Sequence, residues 1–198
     1  MTKAAAPDGA PGTRERIVAA ASHLMQRRGY DGTGVKQISV EAGATLGSVY
    51  HFFPGGKKEL AIAAIERGDR EFAEELERIL AAEEDPAAAV EECARVIADG
   101  LRDSDWADGC PVTSTALGVA VGVPEIGRAA DAALARWRAL VAERLIAVGV
   151  AEDDAHDLGY TVISTLEGAE TAAQLARDST PLRIAGRHLA RLIRLHLP

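Results

Sequence analysis

Apolar residues recur at helical spacing from one end of the chain to the other, and no stretch sustains the period-two alternation of a half-buried strand. An all-α fold is the expectation. The rhythm is broken at readable points. Thr13 can cap a first helix whose inner face is Ile17, Ala20, Ala21, Leu24 and the stem of Arg28, with Gly29 ending it. Residues 30–34 read as a turn and 35–42 as a short second helix. Gly43 stops that helix, and Thr45 can cap a third running to about Phe53. Pro54-Gly55-Gly56 interrupts the chain before a long fourth helix at about 57–82, with Glu66–Arg70 and Glu74–Arg78 placed to pair at i,i+4. Asp85-Pro86 is a cap followed by proline at the first helical position. Further helices are expected near 86–102, 111–121, 124–149, 152–176 and 181–197. Pro111, Pro124 and Pro181 suit their starts, and Gly109, Gly122 and Gly149 their ends.

An apolar fraction of 47% is enough for a real core, and only 8 aromatic residues among abundant alanine favour closely packed helices over strands. No run of 18 apolar residues occurs, so no membrane span is expected. Residues 1–12 hold one cation, Lys3, and no apolar segment, which reads as a disordered arm rather than a secretory signal. Cys93 and Cys110 alone supply neither a disulfide framework nor a zinc cage, so no metal or other cofactor is expected and the cytoplasm is the expected compartment. The net charge of -8 is unevenly spread. Residues 1–60 carry eight cations and five anions, a balance of +3, which leaves -11 for the remainder. A basic head on an acidic body suits contact with phosphate at one end only.

A short helix, a glycine-containing turn and a second short helix make a helix-turn-helix arrangement at about residues 33–53. Val35, Ile38, Val49 and Phe53 can form the apolar wedge that fixes the angle between the two helices. The opposite face of the third helix shows Gly47, Ser48 and His51, with Thr45 and Leu46 at its start. Side chains this small or polar permit close approach to base edges in a major groove. Tyr50, His51 and Lys57 bracket the end of that helix and can reach phosphates. Backbone donors at the helix starts near Thr13, Thr33 and Lys57 could add to them.

The ordered set Ile17, Ala20, Ala21, Gly29-Tyr30, Thr33, Val35, Ile38, Ala42-Gly43, Gly47-Ser48-Val49-Tyr50, Phe53, Lys57 and Leu60 resembles the DNA-binding head of the tetracycline-repressor (TetR) family. The run from Phe53 to Lys57 and the later Gly109-Cys110-Pro111-Val112 resemble the LmrA/YxaF-type subgroup. The resemblance implies a homodimeric transcriptional repressor that binds a near-palindromic double-stranded DNA operator and releases it when a small-molecule effector enters the body. Thr33, Tyr50, His51 and Lys57 match backbone-contact sites, and Thr45, Leu46 and Ser48 match sites facing bases, with Gly47 among them on the exposed face. Three positions depart from the family pattern. Gly34 stands where a hydroxyl residue often caps the second helix, Phe52 replaces a frequent histidine, and Leu46 a frequent polar residue.

The chain thus divides into an arm (1–12), a DNA-binding head (13–60) and a ligand-binding, dimerising body (61–198). Candidate effector-site residues are Trp106, Cys110, Thr113, Leu117, Trp137, Val141, Ile163, Glu167 and Glu170, apolar groups with a few polar ones among them. Glu167 and Glu170 interrupt the stripe Leu158, Val162, Leu166, Ala169 and Ala173. The last helix has one apolar line (Leu182, Ala185, Leu189, Leu192, His196) and a second (Ile184, His188, Leu195), as expected of a helix covered by the core on one side and a partner on the other. Its stripe of Arg183, Arg187, Arg191 and Arg194 is expected to pair with the acidic body.

Two other classes compete. A helical homodimer that binds a ligand or protein without DNA is the first. Catalysis is the second, but the chain has neither a Gly-x-Ser-x-Gly elbow nor a His-Glu-x-x-His pair. Gly55-Gly56-Lys57-Lys58 lacks the earlier glycine and the closing Ser/Thr of a phosphate loop, and the five histidines are scattered. No enzyme is expected.

Overall fold

The computed structural model describes residues 11–198, so all of the expected arm but Pro11 and Gly12 falls outside the described residues. Among those residues there are nine α-helices and no strand: α1 (Thr13–Arg28), α2 (Val35–Glu41), α3 (Leu46–Phe52), α4 (Gly56–Ala82), α5 (Pro86–Asp103), α6 (Pro111–Ala116), α7 (Pro124–Ala147), α8 (Glu152–Ala176) and α9 (Thr180–Arg194).

α4 is the spine. Its first half buries Leu60, Ala61, Ala64 and Ile65 against the head, and its second half buries Leu76, Ile79 and Leu80 in the body. It packs on α1 near its start and on α5, α6 and α7 further along, so one unbroken helix belongs to both regions. Its C-terminal carbonyls would otherwise lack partners. Arg144 of α7 reaches across to donate to the backbone oxygens of Leu80, Glu83 and Glu84 at 3.1, 3.0 and 2.8 Å. Gly68 lets α6 lie directly on α4. A Cβ there would stand 2.6 Å from Pro111 Cγ, well inside van der Waals contact.

Local signals explain most boundaries. Gly29 adopts φ +67 and closes α1, and its N–H donates to Met25 O at 2.8 Å. Asp85 caps α5 by accepting from Ala87 N at 2.9 Å, with Pro86 opening the helix. Thr13, by contrast, is the first residue of α1 rather than its cap; Gly12 holds that position and no side chain caps the helix. Arg28 is exposed instead of lying on the inner face, which is completed by Val18 and Met25. α6 ends at Ala116, not at 121. The turn that follows buries Val119 but leaves Leu117 and Val121 at 79% and 97% exposure. On α4, Arg78 turns back to Glu75 at 2.5 Å rather than to Glu74, and the i,i+4 pair that forms is Arg67–Glu71, not Glu66–Arg70.

Candidate nucleic-acid interface and ligand cavity

The head is a three-helix unit. Ile38, Val49 and Phe53 are fully buried, and Val35 packs partly against them, so the wedge forms as the sequence suggests. The turn between α2 and α3 depends on Gly43, whose φ of +58 is strained for any residue with a Cβ. Arg16 of α1 braces the end of α2 by donating from Nε to Ala42 O at 3.2 Å. Gly34 cannot supply a capping hydroxyl, but its N–H donates to Gln37 Oε1 at 2.9 Å, so half of a capping box replaces the missing group.

Burying Val49 and Phe53 turns the other side of α3 outward. Thr45 caps the helix, its Oγ1 accepting from Ser48 N at 3.0 Å, and the two hydroxyl oxygens also stand 3.0 Å apart. Thr45, Gly47 and His51 are exposed and Ser48 half-buried, while Leu46 and Tyr50 show 41% and 52% exposure. His51 meets Phe52 edge-on at 5.1 Å between ring centres. Lys57 Nζ lies over the Tyr30 ring at 4.3 Å, a cation–π contact that restrains the ammonium. Thr33 is a correction. It is 1% exposed and its Oγ1 donates to Gly29 O at 2.9 Å, so the hydroxyl secures the turn after α1 and is not offered to solvent or phosphate.

In the body, a cavity of about 280 Å³ lies among α4, α5, α7, α8 and the segment before α6. Of the residues chosen from the sequence, Cys110, Trp137, Glu167 and Glu170 line it, and Thr113 reaches it by donating from Oγ1 to Glu167 Oε2 at 2.9 Å. The others do not. Val141 and Ile163 are buried in the core away from the cavity, Trp106 packs partly on the core at a positive φ of 64, and Leu117 is exposed. Sequence reasoning missed Gln26, Phe72, Cys93, Ile97 and Asp108. The apolar ones sit at helical spacing on α4 and α5, a pattern shared with any core position.

The wall is ordered by specific contacts. Trp137 Nε1 donates to Asp69 Oδ1 at 2.9 Å, and its ring lies 4.5 Å from Phe72. Burial raises the Glu167 carboxyl above its ordinary range, opposed by hydrogen bonds from Thr113 and Cys110. Burial first, and the nearby Glu167 charge second, push Glu170 up to about 8. Burial also pushes the Cys93 thiol up to about 12 and the Cys110 thiol well above its usual value. Cys110, Glu167 and Glu170 each bring a donor atom within 4.8 Å of the others. The cavity also touches the head directly: Gln26 of α1 lines it, and the next residue, Arg27, bridges the lining Asp108 at 2.5 Å.

A groove of about 470 Å³ between α5 and α9 is larger, with alanines, Leu182 and Gly186 at its floor and charged side chains along its wall. Arg95 pairs there with Glu92 and Asp99, and Arg102 with Asp99, so it reads as a solvated face. Among the described residues no helix is long and apolar enough to cross a membrane.

Comparison with known proteins agrees with this geometry. Residues 17–64 match the family of bacterial regulatory proteins of the tetR type, and residues 86–188 match the C-terminal domain of LmrA/YxaF-like transcriptional regulators. An uncharacterized HTH-type transcriptional regulator of Mycobacterium tuberculosis is 35% identical over 94% of this chain and 97% of its own length. The HTH-type regulator YxaF of Bacillus subtilis is 32% identical over 92% of this chain and 95% of its own. A TetR transcriptional regulator from Chloroflexus aurantiacus superposes with a TM-score of 0.77 at 29% identity, covering 93% of this chain and 96% of that one. With a helix-turn-helix whose outer face is free and a helical body of the LmrA/YxaF type behind it, this chain is a DNA-binding transcriptional regulator of the TetR family.

Proposed function

We propose that the chain is a repressor that holds a near-palindromic operator as a homodimer and lets go when a small, largely apolar molecule enters the body cavity. The observation that carries the reading is the outward face of α3 at one end of α4 and a half-open cavity towards the other, joined by Arg27–Asp108. We read 13–60 as the head and 61–198 as the body, with α4 crossing the division. Thr45, Leu46, Gly47 and Ser48 face bases; Tyr50, His51 and Lys57 hold phosphates. Thr33 supports this surface from behind. An occupant of the cavity presses on Gln26 and Asp108, and so on α1, without any intervening domain. A catalytic role does not belong to this reading, since burial keeps both thiols protonated and so without nucleophilic thiolate. The site of action is the cytoplasm, where the DNA is.

The deciding experiment is a gel shift on the DNA flanking the chain's own gene, repeated across salt concentrations. Log affinity is expected to fall linearly with log salt. Lys57→Ala should weaken binding similarly on all sequences and flatten the slope by roughly one unit. An unchanged slope removes Lys57 from the phosphate contacts, and no shift at all removes the operator reading.

Dimerisation is read from α8 and α9. On α9, Leu182, Ala185 and Leu189 are buried in the core, while Ile184, His188 and Leu195 stay outside it, Leu195 at 81% exposure. Leu175 of α8 is likewise exposed. Arg194 pairs with Asp85 at 2.9 Å as expected, whereas Arg183 donates to Thr180 and the exposed Arg187 and Arg191 form no ion pair among the described residues. Leu192 packs partly on the core, so Ile184→Asp is the cleaner test. It should yield monomer by light scattering with melting little changed, and a dimer that persists would move the interface elsewhere.

A further inference from the structure

The charge pattern of the cavity limits what can fill it. Among the described residues its wall holds four carboxylates, Glu75, Asp108, Glu167 and Glu170, and no lysine, arginine or histidine. Two are neutralised from outside, Glu75 by Arg78 and Asp108 by Arg27. Glu167 accepts from Thr113, with the Cys110 thiol nearby. Glu170 has no hydrogen bond or ion pair among the described residues. Glu170 is half-buried, so its carboxyl is the one in this wall left without a protein partner and able to meet a ligand. The rest of the wall is apolar and aromatic, with Phe72 and Trp137 facing Leu76, Ile79 and Ile97. A bare metal ion would engage Cys110, Glu167 and Glu170 but leave most of the 280 Å³ and its apolar lining unused.

We propose that the cavity takes an organic monocation, an amine whose ammonium sits between Glu170 and Glu167 while its apolar part lies on Phe72, Trp137 and Ile97. The proposal rests on the ligand-responsive reading above and narrows its ligand from apolar to cationic and amphiphilic. The aromatic rings favour it as well, since a cation is drawn to their faces. The other titratable groups facing Glu170 are Glu75 on α4, Cys93 on α5, Asp108 and Cys110 before α6, and Glu167 on α8. All are neutral or negative, so none repels the ammonium. Because burial pushes Glu170 up to about 8, a cation that binds beside it displaces a proton below that pH. Affinity therefore rises with pH towards 8 and then levels.

Calorimetric titration with 4-phenylbutylamine and 4-phenylbutanol, a cation and a neutral molecule of matched shape, tests this at about pH 6 and about pH 8.5. The amine should bind more tightly by about tenfold or more at the higher pH, with a smaller preference at the lower. Glu170→Gln should erase the preference and keep the affinity for the alcohol. Equal affinities in the parent chain, a preference that survives Glu170→Gln, or no binding of either probe would overturn the proposal. So would tight binding of zinc chloride alone that excludes the amine, which would give the same carboxylates to a metal. The operator gel shift runs separately, so a failure of DNA binding is told apart from a failure of the cavity.

Discussion

Phe53→Ala is expected to lower the stability of the head by about 3–5 kcal/mol, and Val49→Ala by less, because each empties a fully closed site. Ser48→Ala and His51→Ala are expected to do the reverse. They should change stability by about 0.5 kcal/mol or less, since both side chains stand outside the core. The cap survives Ser48→Ala because Thr45 accepts from the backbone N–H of residue 48, not from its side chain. Operator affinity should nonetheless fall, by about 1–3 kcal/mol where Ser48→Ala leaves a base without its partner, and similarly on all DNA sequences where His51→Ala removes a phosphate contact. Thermal melting and operator titration of the four purified variants check the register together. If Ser48→Ala and His51→Ala melt early while Val49→Ala and Phe53→Ala do not, α3 is rotated from the orientation described and its DNA contacts must be withdrawn.

Glu170→Gln should make the protein more stable at alkaline pH and leave it unchanged in acid. Glu170 ionises near 8 in the folded chain against 4.5 ordinarily. Between those values the folded state keeps a proton that the unfolded state has lost, so stability falls as pH rises through this window and the loss is complete above it. Glutamine removes the titration. The gain at about pH 9 should be about 2–4 kcal/mol, allowing for water that enters the cavity, and should vanish near pH 4.5. Melting curves of parent and variant across that range would show it. A difference that does not depend on pH would mean that Glu170 is well solvated, and would weaken the case for a cation beside it.

The helices, the helix-turn-helix and the wedge behind it were legible in the sequence because each follows from contacts a few residues apart. Gly43 at a positive φ, Thr45 accepting from Ser48, and Asp85 before Pro86 are local chemistry, and residue spacing reports local chemistry directly. The same local signals failed where partners decided the outcome. α6 gives way at Ala116 to a turn that buries Val119 but leaves Leu117 and Val121 exposed, and Thr33 is buried with its hydroxyl on Gly29 O, neither of which spacing reveals. The cavity belongs entirely to the tertiary level. Glu167 and Glu170 stood out as interruptions of an apolar stripe, but only the packing of α4, α5, α7 and α8 decides that Phe72, Cys93 and Ile97 share their space while Val141 and Ile163 do not. An apolar side chain at helical spacing looks the same whether it faces a neighbour or a void, and the difference lies in how distant helices meet.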